Sequence, residues 1–213
     1  MTFKGPARQG RLFLSLALVM CLGSGRALVG QTADDAVSRA DAALLAGRVE
    51  EAVKAFDAIV ARRPSDGPFL WQRGIALYYA GRYRDCRLQF EAHRLVNPDD
   101  VENAAWHFLC AAHESSFAAA RRALLPVGPD RRSPMREVYE MFQGTVTPDD
   151  VLEAGKGSAS GRFYSALYVG VFYDAQRDHV RARSFMETAA REEFSRVGGY
   201  MHAVAVLHVR VTP

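Results

Sequence analysis

The stretch AGRVEEAVKAFDAIVARRP (46–64) and its echo AGRYRDCRLQFEAHRLVNP (80–98) decide the fold. Gly47 and Gly81 stand 34 residues apart, and so do Ala52 and Cys86, Phe56 and Phe90, and Pro64 and Pro98. A fixed period of this length marks a unit of two antiparallel helices that buries its apolar face by stacking on the next unit. Each repeated position has a physical reason. A glycine ends the first helix where a left-handed residue is cheap. Ala52 and Cys86 are small where two helices cross, and Phe56 and Phe90 fill the space beside them. Pro64 and Pro98 stop the second helix and begin the next unit.

The register extends in both directions. Repeat one covers about 33–66, repeat two 67–100 and repeat three 101–125. In repeat two Gly74 is the small residue of the first helix, and Leu77 packs across from Phe90. Asp99 and Asp100 suit the helix N-terminus that opens repeat three, whose second helix keeps Phe117, Ala120 and Leu124 in register until Pro126 cuts it short. Residues 126–161 are irregular. PVGPDRRS (126–133) reads as a loop, and Ser133 with Pro134 as the cap and first turn of a helix to about Phe142. Thr147 to Asp150 starts another short helix, and GKGSASG (155–161) is a flexible link. A fourth unit over 163–195 places Gly170 and Tyr173 on its first helix and Ala182, Met186 and Ala189 on its second. Residues 199–211 form a last helix that caps the stack. The expectation is an all-α solenoid of helix-turn-helix units with irregular central helices and a C-terminal capping helix.

Over about 33–125 and 163–195 the pattern resembles the tetratricopeptide repeat (TPR) family. Its layout, together with FYSALYVGVFYDA (163–175) and YMHAVAVLHVRV (200–211), is similar to the NlpI-like TPR lipoproteins of bacterial envelopes. The resemblance implies a non-catalytic scaffold or adaptor without cofactors, whose partners are envelope proteases or peptidoglycan hydrolases. An organelle-lumen assembly factor of the same repeat type is the alternative setting.

The N-terminus carries an address. Residues 1–30 hold Lys4, Arg8, Arg11 and Arg26 but no acidic residue, and LFLSLALVMCLG (12–23) is uncharged. Basic head, apolar middle and small-residue tail make a signal peptide with cleavage near 25–31, hence export to the periplasm or envelope. An Arg-rich organellar transit segment is the rival reading. The apolar stretch falls short of the ~20 residues that span a bilayer. Leu18 to Cys21 approximates a lipobox in which Met20 replaces a small residue, so membrane association depends on lipidation of Cys21. The formal charge of +3 belongs to this segment. Without its four basic residues, the chain's 27 Lys and Arg fall one short of its 24 Asp and Glu. A body so close to neutral offers no footprint for nucleic acid.

In such a stack the first helix of each unit lines the concave face. Trp71, Ile75, Tyr78 and Tyr79 share one helical stripe, opposite Gly74 and Leu77. Equivalent positions are Leu44 and Leu45 in repeat one, Leu109 and His113 in repeat three, and Tyr164, Leu167 and Val171 in repeat four. The expectation is an apolar, lightly charged groove for a partner peptide or helix, rich in the aromatic residues that dominate binding hot spots. The stripe equally suits packing within the chain, or self-association into a homodimer.

A helical enzyme or metal protein is the second class. His107, Cys110 and Glu114 share a face, but His113 is rotated away, and zinc needs three or four converging ligands. GKGSASG lacks the spacing of a phosphate loop. The pairs Asp99–Asp100 and Asp149–Asp150 each follow a proline at a helix start, where acids serve the helix dipole. Catalytic, metal and cofactor residues are therefore expected to be none. Cys86 and Cys110 are open to two readings, a disulfide in an oxidising compartment or two buried thiols.

Overall fold

The structure, a computed structural model, describes residues 24–212, with side chains from Asp34 onward. Most of the expected signal, including Cys21, lies outside the described residues. The chain is all-helical there, with eleven α-helices. They are α1 (Ser24–Leu45), α2 (Val49–Arg62), α3 (Trp71–Tyr79), α4 (Tyr83–Arg94), α5 (Val101–Glu114), α6 (Phe117–Arg122), α7 (Met135–Gln143), α8 (Pro148–Gly155), α9 (Ala159–Ala175), α10 (His179–Ala189) and α11 (Ser195–Val211). Among the described residues no helix is long and apolar enough to cross a membrane.

The hairpins α1–α2, α3–α4 and α9–α10 turn in the same way. The chain reverses through one left-handed residue, Gly47 at φ +79° and Gly81 at φ +70°. In the third hairpin that residue is Arg177 at φ +61°, a conformation in which a Cβ crowds the following carbonyl. The spacing between repeat two and this hairpin is 96 residues, and it also aligns Gly74 with Gly170, Cys86 with Ala182 and Phe90 with Met186. A Cβ on Gly74 would stand 2.6 Å from the Phe90 ring, and one on Gly170 3.2 Å from Met186. Small residues on the first helix thus let a large residue of the second helix pack against bare backbone.

Repeat three breaks the pattern for a reason visible at one position. The residue 34 after Gly74 is Phe108, which has no room against a second helix in the standard place. Its ring, fully buried, instead meets Phe117 at 5.1 Å and Phe142 at 4.9 Å. Helix α6 is accordingly short, and α7 takes up packing on α5.

Several boundaries differ from the sequence reading. Helix α7 begins at Met135, and the Ser133 hydroxyl donates to the Ala154 carbonyl rather than capping it. Residues 155–161 are no flexible link: α9 starts at Ala159, capped by Ser158, which accepts from the Gly161 amide at 2.9 Å. The glycines there allow backbone contact, since a Cβ on Gly155 would lie 2.5 Å from the Gly161 carbonyl oxygen. The capping box of α8 forms as read, with Thr147 and Asp150 exchanging hydrogen bonds. The last helix starts at Ser195 and bends at Gly199.

That last helix does more than cover an end. It packs on α9 and α10, and its other side lies against α1 and α3. Tyr200 donates to Asp41 at 2.9 Å, and the Arg210 guanidinium donates to the Leu45 carbonyl at 2.6 Å. Cys86 and Cys110 form a disulfide between α4 and α5, with Cα atoms 5.9 Å apart and both side chains fully buried.

Two outcomes are expected. Arg177→Gly removes the left-handed strain and raises stability by about 1 kcal/mol, read by urea denaturation. Reducing the disulfide, which closes a separation of 24 residues, lowers unfolding stability by about 3 kcal/mol in the same assay.

Candidate functional site

The chain itself covers most of the helical stripe expected to line a groove. Ile75, Leu109, Leu167 and Val171 are buried core, as is Leu44. Tyr78 is 6% exposed, and Tyr79 and His113 are largely covered. The groove of the first two repeats receives α9 and α11, so the expectation of one open apolar groove along these residues is corrected. The physical reason is that aromatic and aliphatic stripes on both ends of one chain bury more surface against each other than against water.

The interior of this contact is polar. Asp174, in the last turn of α9, is 1% exposed and accepts a short hydrogen bond from the Tyr78 hydroxyl. His113 Nε2 stands 3.4 Å from the other Asp174 oxygen, a contact without hydrogen-bond alignment. The Tyr79 hydroxyl reaches His208 Nδ1 of α11 at 3.3 Å. Burial opposes ionisation of Asp174, but its contacts with His113 and Tyr78, and the nearby His208, outweigh burial and hold the carboxyl below its ordinary value. Burial pushes His208 down, and the Tyr78 and Tyr79 hydroxyls far up. This set of Tyr, Asp and His has the residue types of acid–base chemistry, is mostly buried, and links α3, α5, α9 and α11.

Trp71 and Tyr164, also expected on the groove, meet elsewhere. They line a cavity of about 300 Å³ at the end of the groove that α11 leaves unfilled. Its walls come from α3, α4, α5, α9 and α11. Trp71, Trp106, Tyr164 and Tyr200 supply aromatic surface, and Asp100, Glu102, Asn97 and Asn103 supply polar groups. Trp71 and Tyr200 touch edge to face at 4.9 Å. Asp100 caps α5, its carboxylate accepting from the Glu102 amide at 3.0 Å. Glu102 accepts from the Tyr168 hydroxyl at 2.5 Å and from Arg132. Desolvation raises the Glu102 carboxyl above its ordinary value despite those donors. Trp106 Nε1 and Asn103 Oδ1 belong to residues of the cavity wall and are buried without a hydrogen-bond partner among the described residues.

The stripe thus divides into a buried part and a cavity part. Sequence reasoning missed Trp106, Tyr200, Glu102 and Asp100 as site residues. Tyr200 carried one signal, a polar-tipped aromatic just after Gly198 and Gly199, where the helix bends.

The metal candidates do not converge. His107 Nε2 lies 3.4 Å from Glu91, Glu114 pairs with Arg87, and Cys110 is bonded to Cys86. Among the described residues no three His, Cys, Asp or Glu side chains gather as a metal set would. Compared with known families and with curated proteins, the sequence matches no family model and no curated relative.

The buried histidines set a pH dependence. Burial lowers His107 and His208 below the free value of 6.5, so the unfolded chain takes up protons first as pH falls. Their stabilising contribution is complete above 6.5 and is lost below it. Asp174, lowered, adds a loss in the same direction only near and below its ordinary value of 3.8. Glu102 and Asp41, raised by burial, act in the opposite sense just above the ordinary carboxylate range. The melting temperature is therefore expected to fall between pH 7 and pH 5.5, and to fall less in His208→Gln, as read by differential scanning calorimetry.

Proposed function

We propose that the protein is a non-catalytic binding scaffold of tetratricopeptide type, exported to the cell envelope and similar in layout to the NlpI-like TPR lipoproteins. The observation that carries this reading is the shared hairpin: three helix pairs reverse through the same left-handed position, at Gly47, Gly81 and Arg177, with a small residue facing a large one at matched places. Such units are built to present surface rather than to shelter a reaction. The acid–base groups of the interior have no access to a substrate, which favours binding over catalysis. Partners are other proteins of the envelope, proteases and peptidoglycan hydrolases among them by resemblance. The place where a partner enters is the cavity and its aromatic rim at Trp71 and Tyr164, because the rest of the concave stripe is occupied.

The test is affinity capture with the purified protein against envelope extract of its source. Trp71→Ala/Tyr164→Ala is the site variant, and Val180→Ala, at an 82% exposed position far along the chain, is the control. Circular dichroism confirms that all three are folded. A partner retained by wild type and control, and weakened about tenfold or more by the site variant, is the expected result. Equal retention by all three proteins would move the partner site off the cavity.

A further inference from the structure

We infer that the cavity between α3, α5, α9 and α11 is a binding site for an organic cation, a primary ammonium or guanidinium group on a short apolar stem. The inference deepens the binding reading above and rests on it only for where the cation comes from, not for its chemistry.

Three observations lead there. The first is size. About 300 Å³ lies at the small end of ligand pockets and suits one side chain or a molecule of that bulk, not a nucleotide or a lipid. The second is the wall. Trp71, Trp106, Tyr164 and Tyr200 give four aromatic rings around one space. Aromatic faces attract cations through the ring quadrupole, and Trp does so best. The third is charge. Asp100, Glu102 and Asp130 all reach Arg132, and Asp99 and Arg131 sit at the same outer rim. Carboxylates there outnumber guanidiniums. Asp100 and Glu102 line the cavity itself with their side chains 21% and 15% exposed, so each keeps a face toward it. Arg132 pairs with both carboxylates from the outer side, and of the other polar lining groups His93 Nδ1 lies 2.8 Å from the Pro68 carbonyl and Asn97 donates to Asp100.

Burial raises the Glu102 carboxyl above its ordinary value even with Arg132 and Tyr168 donating to it, and a further cation beside it would favour the charged form. An anionic ligand would meet the Asp100 and Glu102 carboxylates, and a purely apolar one would leave them facing it without relief.

The chain supplies its own reporter. Trp71 and Trp106 are its two tryptophans, and both line the cavity, so intrinsic fluorescence reads this site alone. The probes are n-butylammonium and n-butylguanidinium as free cations, and the blocked tripeptides Gly-Lys-Gly and Gly-Arg-Gly as side-chain sources. Butyramide and the Nε-acetyl-lysine tripeptide are neutral controls. Asp100→Asn keeps the cap on α5 and removes one charge; Tyr164→Ala removes one ring wall without touching the carboxylates. The expected result is a saturable fluorescence change with cations, about tenfold weaker with the neutral controls and in each folded variant. Response to the free cations assigns a small basic molecule. Response to the peptides alone assigns a Lys or Arg side chain of a partner. Equal response to cations and neutral controls, or no response to any cation by folded wild-type protein, overturns the proposal. In that event, partner loss from Trp71→Ala/Tyr164→Ala in the capture assay still stands, so failure here is distinct from failure of the scaffold reading.

Discussion

The carboxylate of Asp174 holds the molecule's two ends together. It sits on α9, receives the Tyr78 hydroxyl from α3 across 96 residues of sequence, and faces His113 of α5. A negative charge in the last turn of a helix is disfavoured by the helix dipole, and burial disfavours it further. Both costs are offset by the Tyr78 hydroxyl, which donates to it from α3, and by the imidazole of His113 on α5 beside it. The arrangement is therefore conditional: α9 belongs in the groove only with Tyr78 and His113 in place, and those two polar side chains can be buried only with Asp174 between them. Apolar burial of Ile75, Leu109, Leu167 and Val171 around the cluster supplies the bulk of the driving force, and the cluster fixes the register at which they meet.

Closure of the groove decides what surface is left for function. Helix α11 lies along α1 and α3 through Tyr200, His208 and Arg210 and covers the stripe on those helices. Its bend at Gly199 leaves one end of the groove unfilled. There the aromatic residues remain, but their neighbours are now Asp100 and Glu102 rather than more apolar surface. An extended apolar groove would suit a stripe of side chains, whereas the small acid-and-aromatic cavity is proposed to take a single charged group.

The repeats were legible in the sequence because they rest on local physics. A left-handed turn residue, a small residue opposite a large ring and a proline at a boundary act within one unit and recur in the next. Even the irregular middle was visible as an absence of those signs, though its cause, Phe108 in the place of a glycine, shows only when the register is carried forward one period. The fold-back was not legible. It depends on Tyr78 with Asp174, Trp71 with Tyr200 and Asp41 with Tyr200, pairs far apart in the chain that no periodicity relates. One sign was present: a lone acid stands near the end of the apolar helix FYSALYVGVFYDA, where the helix dipole disfavours it unless a polar partner meets it. The cavity shared that fate, since Trp71, Glu102, Tyr164 and Tyr200 become neighbours only once the ends have met.

The most direct measurement is nuclear Overhauser contact between the rings of Trp71 and Tyr200 in the intact protein. Their centroids lie 4.9 Å apart, while α3 and α11 are separated by most of the chain. Strong cross-peaks between the Trp71 indole and Tyr200 ring protons are the result expected if the C-terminal helix occupies the groove. Their absence, with Trp71 instead showing solvent exchange typical of an exposed indole, would contradict the closed arrangement and return the whole concave stripe to the surface.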